Sequence, residues 1–281
     1  MEFLLGVMQG RLLPKYRGKY QAHPVGDWPK EFALAAARGL GCLEFILDYD
    51  DIDKNPLYKS QGINEIIKCS EEAGVRVRSI CADYFMTSPL FSDNDTQREN
   101  SLDILCGLIN SATAIGVTDI VIPCVDASGI SGDSRRQANL IESLQHVQEE
   151  IKNKKVNLAL ETDLGPNEFA ELLARVDCEF ITVNYDIGNS AALGFDFIEE
   201  FSAYGNKITN VHIKDRLLHG PSVFLGQGVA RISEILESLV ASSFSGLMIM
   251  QAFRDSQGLK IFDEQLEWFR SELAVIHNRL G

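Results

Sequence analysis

Positive charge is scarce in this sequence. Lysine and arginine number 26 against 40 aspartates and glutamates, giving a formal net charge of −14, and no basic cluster stands against it. Nucleic acid and anionic membrane both need a concentrated positive face, so neither is an expected partner. One substrate phosphate stays within reach, because a few basic side chains and backbone amides inside a pocket can hold it. Paired cysteines are lacking too. Cys42, Cys69, Cys81, Cys106, Cys124 and Cys178 are scattered with no CxxC, mostly in apolar runs where a thiol packs as a small hydrophobe. That argues against a disulfide framework and for a reducing compartment. No apolar run approaches the length needed to cross a bilayer. The opening MEFLLGVMQGRLLPKY has no basic segment before its short apolar run, so the expectation is a soluble cytoplasmic protein. Also missing is a glycine-rich phosphate turn after the first strand, the mark of a doubly wound sheet; Met8-Gln9-Gly10-Arg11-Leu12 stands there instead.

What is present is a regular alternation. Short apolar runs read as strands at Phe3–Met8, Cys42–Leu47, Val75–Ala82, Asp119–Val125, Val156–Glu161, Phe180–Asp186, Ile208–Ile213 and Leu247–Gln251. They are nearly continuous in apolar residues, as strands covered on both faces by helices are. Amphipathic stretches between them predict helices at Glu31–Arg38, Ile63–Ala73, Gln97–Ile115, Arg135–Asn153, Asn167–Arg175, Asp196–Tyr204, Ile232–Ala241 and Asp263–Arg279. Gly39, Gly41, Gly74 and Gly116 punctuate helix ends. Eight βα units over 281 residues, with no linker or composition break, predict a single (β/α)8 TIM barrel domain spanning residues 1–281. The long irregular stretch from Gln9 to Asp27, carrying Arg11, Tyr16, Arg17, Tyr20 and His23, is the candidate lid.

Barrel chemistry sits at the C-terminal strand ends. Strand two carries Glu44; strands three and four exit at Asp83 and Asp126. Strands five, six and seven place Glu161, Asp186 and His212 at equivalent positions, and strand eight ends in Gln251. A carboxylate closing an apolar strand is costly to bury unless it is paired, hydrogen-bonded or metal-bound. Neighbouring strands stand about 4.8 Å apart, so three such side chains can converge on one ion. Two hard oxygens and an imidazole suit Mn²⁺, Co²⁺, Mg²⁺ or Zn²⁺ without choosing among them. Each residue also has an ordinary reading: Glu161 paired with Lys214, Asp186 capping a turn, His212 as a core histidine.

The segments Leu160-Glu161-Thr162, Asn184-Tyr185-Asp186-Ile187-Gly188-Asn189 and Val211-His212-Ile213-Lys214-Asp215, followed by Gly226-Gln227-Gly228-Val229 and a helix, resemble the xylose-isomerase-like TIM barrels. This family of sugar and sugar-phosphate isomerases, ketose 3-epimerases and inositol-catabolism enzymes is matched over essentially the whole chain. The resemblance implies that Glu161, Asp186 and His212 are metal ligands and that Glu161 also acts as a base. Two departures stand out. The family's fourth ligand, a strand-eight glutamate, is Gln251 here, and a histidine common three residues after the strand-six aspartate is Asn189. DNA-repair endonucleases of the same fold need more histidine ligands and a basic face, and this chain has neither.

Glutamine can lend its amide oxygen to a metal but cannot carry a proton. The expected site is therefore less negative, binding its ion more weakly and polarising more strongly. The reaction class that follows is proton transfer beside a carbonyl, through an enediolate, on a sugar or sugar phosphate. With Glu161 as the single clear base, one-base isomerisation is easier to derive than epimerisation, although Glu44 or Asp163 could replace the missing partner. Arg11, Glu44, Asn189, Lys214 and Arg216 are the candidate substrate-binding residues. Arg254 and Arg216 read more readily as surface ion pairs than Arg11 and Lys214 do, and Trp28 and Phe85 are candidates for an apolar wall. A polyol-ketone dehydratase and a sugar-binding barrel without activity are the alternatives. A homo-oligomer is compatible with the sequence.

Overall fold

The computed structural model describes residues 3–280. Eight parallel strands close a barrel: β1 (Leu4–Met8), β2 (Cys42–Ile46), β3 (Arg76–Cys81), β4 (Asp119–Cys124), β5 (Asn157–Thr162), β6 (Ile181–Asp186), β7 (Ile208–Ile213) and β8 (Leu247–Met250). Each pairs with its neighbours in sequence, and β8 closes the ring on β1 through Leu4–Leu247 to Val7–Met250. The predicted (β/α)8 barrel is the architecture found. Residues 1, 2 and 281, the ends of the expected domain range, lie outside the described residues.

Every strand falls within a residue or two of its predicted span, because buried apolar runs have sharp ends where polar loop residues begin. The helices differ more. The predicted Arg135–Asn153 helix is two, Ser134–His146 and Gln148–Lys154, interrupted at Val147. A helix the apolar pattern does not reveal, Ile187–Leu193, starts directly on Asp186, whose side chain accepts from Asn189 N and caps it. Gly74 and Gly116 end helices in the left-handed conformation. Gly41 does not; a Cβ there would run into the Leu4 side chain, so its role is close packing.

Two apolar cores result. The larger fills the space between strands and helices. The smaller lies inside the barrel, where Met8, Cys42, Ile46, Cys81, Val121, Ala159, Leu247 and Ile249 meet. Interleaved with it inside the barrel are polar residues: Glu44, Ser79, Asn184, Asn210 and His212 are all buried. All six cysteines are free. Among the described residues no helix is long and apolar enough to cross a membrane.

Candidate active site

A cavity of about 390 Å³ opens at the C-terminal ends of the strands. Glu161, Asn189, Lys214, Arg216 and Gln251 line it, together with Tyr20 and Gln21 from the long first loop, Cys81 at the end of β3, Asp83 just beyond it, and Asp126 after β4. Below it, one oxygen or nitrogen each of Glu161, Asp186 and His212 lie within 4.8 Å of one another, and all three side chains are buried. The ladder explains the convergence. Asp186 is the direct partner of His212 between β6 and β7. Leu160 pairs with Val183, so Glu161 comes level with Asn184 rather than Asp186. The three are therefore not in one register, as the sequence suggests; the longer glutamate side chain makes up the offset.

Asn184, which sequence reading passes over, occupies the step between them. Its amide nitrogen donates to Glu161 Oε2 at 2.7 Å and approaches His212 Nδ1 at 3.1 Å. Asn189 donates to Glu161 Oε1 at 2.7 Å and is itself held by Arg216 at 2.8 Å. The spacing Asn184-x-Asp186 on an inward-facing strand was the available signal, since alternate residues share a face. His212 turns Nδ1 towards Glu161 (3.5 Å) and Asp186 (3.8 Å), and Nε2 towards Glu44 Oε1 at 2.8 Å. That last approach is close but off-line, and neither atom has another partner. Glu44 Oε2 accepts from Ser79 at 2.8 Å and Asn210 at 2.9 Å.

Lys214 pairs with Asp186 at 3.2 Å, not with Glu161. Burial opposes ionisation of Asp186, but the Lys214 ammonium and the His212 ring outweigh it and hold the carboxyl at about 2. Burial alone would depress His212; Glu44, Asp186 and Glu161 reverse that and raise it well above its ordinary value. Three carboxylates around one imidazole, with a single lysine among them, demand positive charge.

The expected substrate-binding set divides. Asn189, Lys214 and Arg216 line the cavity. Glu44 does not: it is wholly buried under His212 and supports the ring instead of meeting a ligand. Arg11 is also buried, its guanidinium donating to Gln21 Oε1 at 3.1 Å, so it fixes the loop. Arg254, buried beside it, donates to Leu13 O. The expectation that Arg216 is an ordinary surface residue, more so than Arg11, is reversed. Asp163 is engaged by the backbone N–H groups of Ile130 and Ser131. The expected lid contributes Tyr20 and Gln21 to the cavity wall, while His23 packs behind with Trp28 and Phe45. Trp28 and Phe85 belong to the core.

The donor set fits a divalent ion. Besides the three converging atoms, Gln251 Oε1 is a buried amide oxygen with no hydrogen-bond partner, while its nitrogen donates to Gln21 at 3.2 Å. An unpaired buried carbonyl oxygen in a cavity that carboxylates also line can accept a cation.

Beyond the cavity, Asp215 organises the chain that returns towards β8. Its carboxylate accepts from the backbone of Arg216, Gly226, Gly228 and Ala230, locking a small ribbon of Asp215–Arg216 on Ser222–Val223. A Cβ at Gly228 would collide with that carboxylate, which explains the glycine.

Among known proteins, a putative L-ribulose-5-phosphate 3-epimerase UlaE from Shigella dysenteriae serotype 1 is 26% identical over 251 residues, covering 84% of this chain and 86% of that protein. Solved structures of similar shape include a D-tagatose 3-epimerase-like protein (TM-score 0.78, 15% identity, 99% of this chain and 100% of that one). An L-ribulose 3-epimerase is comparable (TM-score 0.77, 15% identity, 99% and 97%). The sequence model of the xylose isomerase-like TIM barrel matches residues 32–272, and the chain belongs to that family.

Proposed function

We propose that this protein is a cytoplasmic, divalent-metal-dependent ketose 3-epimerase acting on a sugar phosphate. One observation carries the reading: Glu161, Asp186 and His212 converge at a strand-end cavity that Glu161 lines together with Gln251, whose amide oxygen is unpartnered. Those four residues would hold the ion. When bound, it would polarise the substrate carbonyl and make the neighbouring C–H acidic.

The side chains divide the remaining work. Glu161, whose oxygens are held by Asn184 and Asn189, is fixed in place to take the proton. Lys214 is balanced by Asp186, which leaves Arg216, half-buried at the rim, as the cation for an anionic substrate. Its Nε and Nη1 are bound to Gly220 O and Asn189, so the guanidinium edge is pre-positioned. Residue type alone favours one-base isomerisation. The relatives' names favour epimerisation, and the cavity offers the groups for it.

The test is a panel of free and phosphorylated ketoses with metal-loaded protein in D2O, read by NMR. Inversion at the carbon beside the carbonyl with deuterium incorporation is expected. An Arg216→Leu variant should raise KM by about 10- to 100-fold more for phosphorylated than for free ketoses, as expected for a lost charge-assisted hydrogen bond, while kcat falls for both because Asn189 loses its anchor. Loss of water instead of inversion would identify a dehydratase. No isotope exchange on any substrate would leave a sugar-binding barrel.

A further inference from the structure

Epimerisation removes a proton from one face of a carbon and returns one to the other. Glu161 serves one face. Gln251 cannot serve the second, since an amide neither gains nor loses a proton near neutral pH. Asp186 is committed to Lys214. Among the described residues lining the cavity, two carboxylates then remain, Asp83 and Asp126. Asp126 is exposed at the rim, where solvent rather than the protein surrounds its carboxylate.

Asp83 has a different setting. It follows β3 by two residues and is partly buried, its open side on the cavity. Gln21 Nε2 donates to its Oδ2 at 2.8 Å and Cys81 Sγ to its Oδ1 at 3.1 Å. Gln21 Oε1 in turn accepts from Gln251 Nε2 and Arg11 Nη2. One loop amide therefore ties Asp83 to the strand-eight residue. Burial raises the Asp83 carboxyl above its ordinary range, and the charges of Glu161 and Glu44 add to that against the two hydrogen bonds.

Resting on the epimerase reading above, we propose that Asp83 is the second acid–base residue, working on the substrate face opposite the one Glu161 addresses. The two groups enter the cavity from β3 and β5, with β4 between them, so they approach a bound sugar from different directions around the ring. In one direction Glu161 takes the proton as the C–H bond breaks, its electron pair passing into the enediolate. Protonated Asp83 then forms the new C–H bond on the other face. Glu161 ends protonated, Asp83 ends ionised, and both reset by exchange with solvent. Substrate and product are isomers, so no further reactant is consumed.

The experiment compares metal-loaded native enzyme with Asp83→Asn in D2O, starting from each epimer separately. Net epimerisation should fall about 10²- to 10⁴-fold. Deuterium should still wash into the recovered epimer whose C–H faces Glu161 and not into the other. The metal-induced rise in Tm should be unchanged. Epimerisation within several-fold of native, or wash-in lost equally from both epimers, overturns the proposal. In the Asp83→Asn, Gln251→Glu double variant, recovery of tenfold or more supports it, and folded protein without recovery overturns it. If native enzyme epimerises nothing, the functional reading fails first and this role falls with it; if native enzyme works and Asp83→Asn works equally well, only the role fails.

Discussion

Glu44 Oε1 lies 2.8 Å from His212 Nε2, on the opposite side of the ring from Glu161 and Asp186, and neither side chain is exposed to solvent. The charge of a carboxylate behind an imidazole favours a proton on the nitrogen facing it and leaves the other nitrogen a better donor to a cation. Glu44→Gln should therefore weaken divalent-metal binding by about 10- to 100-fold, although Glu44 touches no ligand. Titration of chelator-stripped protein measures this. Equal affinity in the variant would show that Glu44 is only filling the barrel.

Asp215 should matter to stability more than to binding. Removing its carboxylate in Asp215→Ala leaves the N–H groups of Gly226, Gly228 and Ala230 without their acceptor. Water can reach these donors in part, so a loss of about 1–3 kcal/mol is expected, and Asp215→Asn should lose less because one acceptor oxygen survives. Denaturant unfolding of the three proteins tests the order. Equal midpoints would mean that the turn is held by packing alone.

His23 gives the fold an acid sensitivity of known sign. Burial lowers its pKa to about 4, and its Nδ1 is 2.9 Å from Gln9 Oε1. The unfolded chain takes up this proton near pH 6.5, while the folded protein refuses it until about pH 4. Stability contributed by the neutral ring is thus whole above 6.5, declines as pH falls through that window, and is lost by 4. The size is roughly 3 kcal/mol. Comparing His23→Asn with native protein at pH 7, 5.5 and 4 isolates this histidine from the carboxylates. The variant should lose less stability on acidification, and parallel losses would disprove the assignment.

The barrel was legible because its strands are short, buried on both faces and bounded by polar residues. The converging triad was legible because each member closes an apolar strand. Asn184 was not, since a neutral amide within a strand has no distinctive pattern until its partners are located. Arg11 and Arg216 exchanged expected places for a similar reason. Both stand three residues beyond the end of a strand, yet Arg11 is folded back under the first loop while Arg216 is turned inward by the ribbon that Asp215 organises. Charge and position along the chain do not encode that turn. Asp83 was visible as a strand exit, but its link to Gln251 depends on Gln21, a loop residue whose placement only the folded chain supplies.

The polar layer inside the barrel has a consequence for the molecule as a whole. Interior layers of this fold are ordinarily filled by branched apolar side chains. Here Glu44, Ser79, Asn184, Asn210 and His212 take such places, and Glu44 Oε1, Asn184 Oδ1, Asn210 Oδ1 and His212 Nε2 lack a well-formed hydrogen bond. Well-packed apolar replacements of buried charged groups are commonly neutral or stabilising. A barrel redesigned with leucine and valine at these positions should therefore outlast the native protein in heat and denaturant, and do no chemistry. Stability and activity are set against each other in one cluster of side chains, which makes that cluster the place where selection for hardiness alone would erase the enzyme.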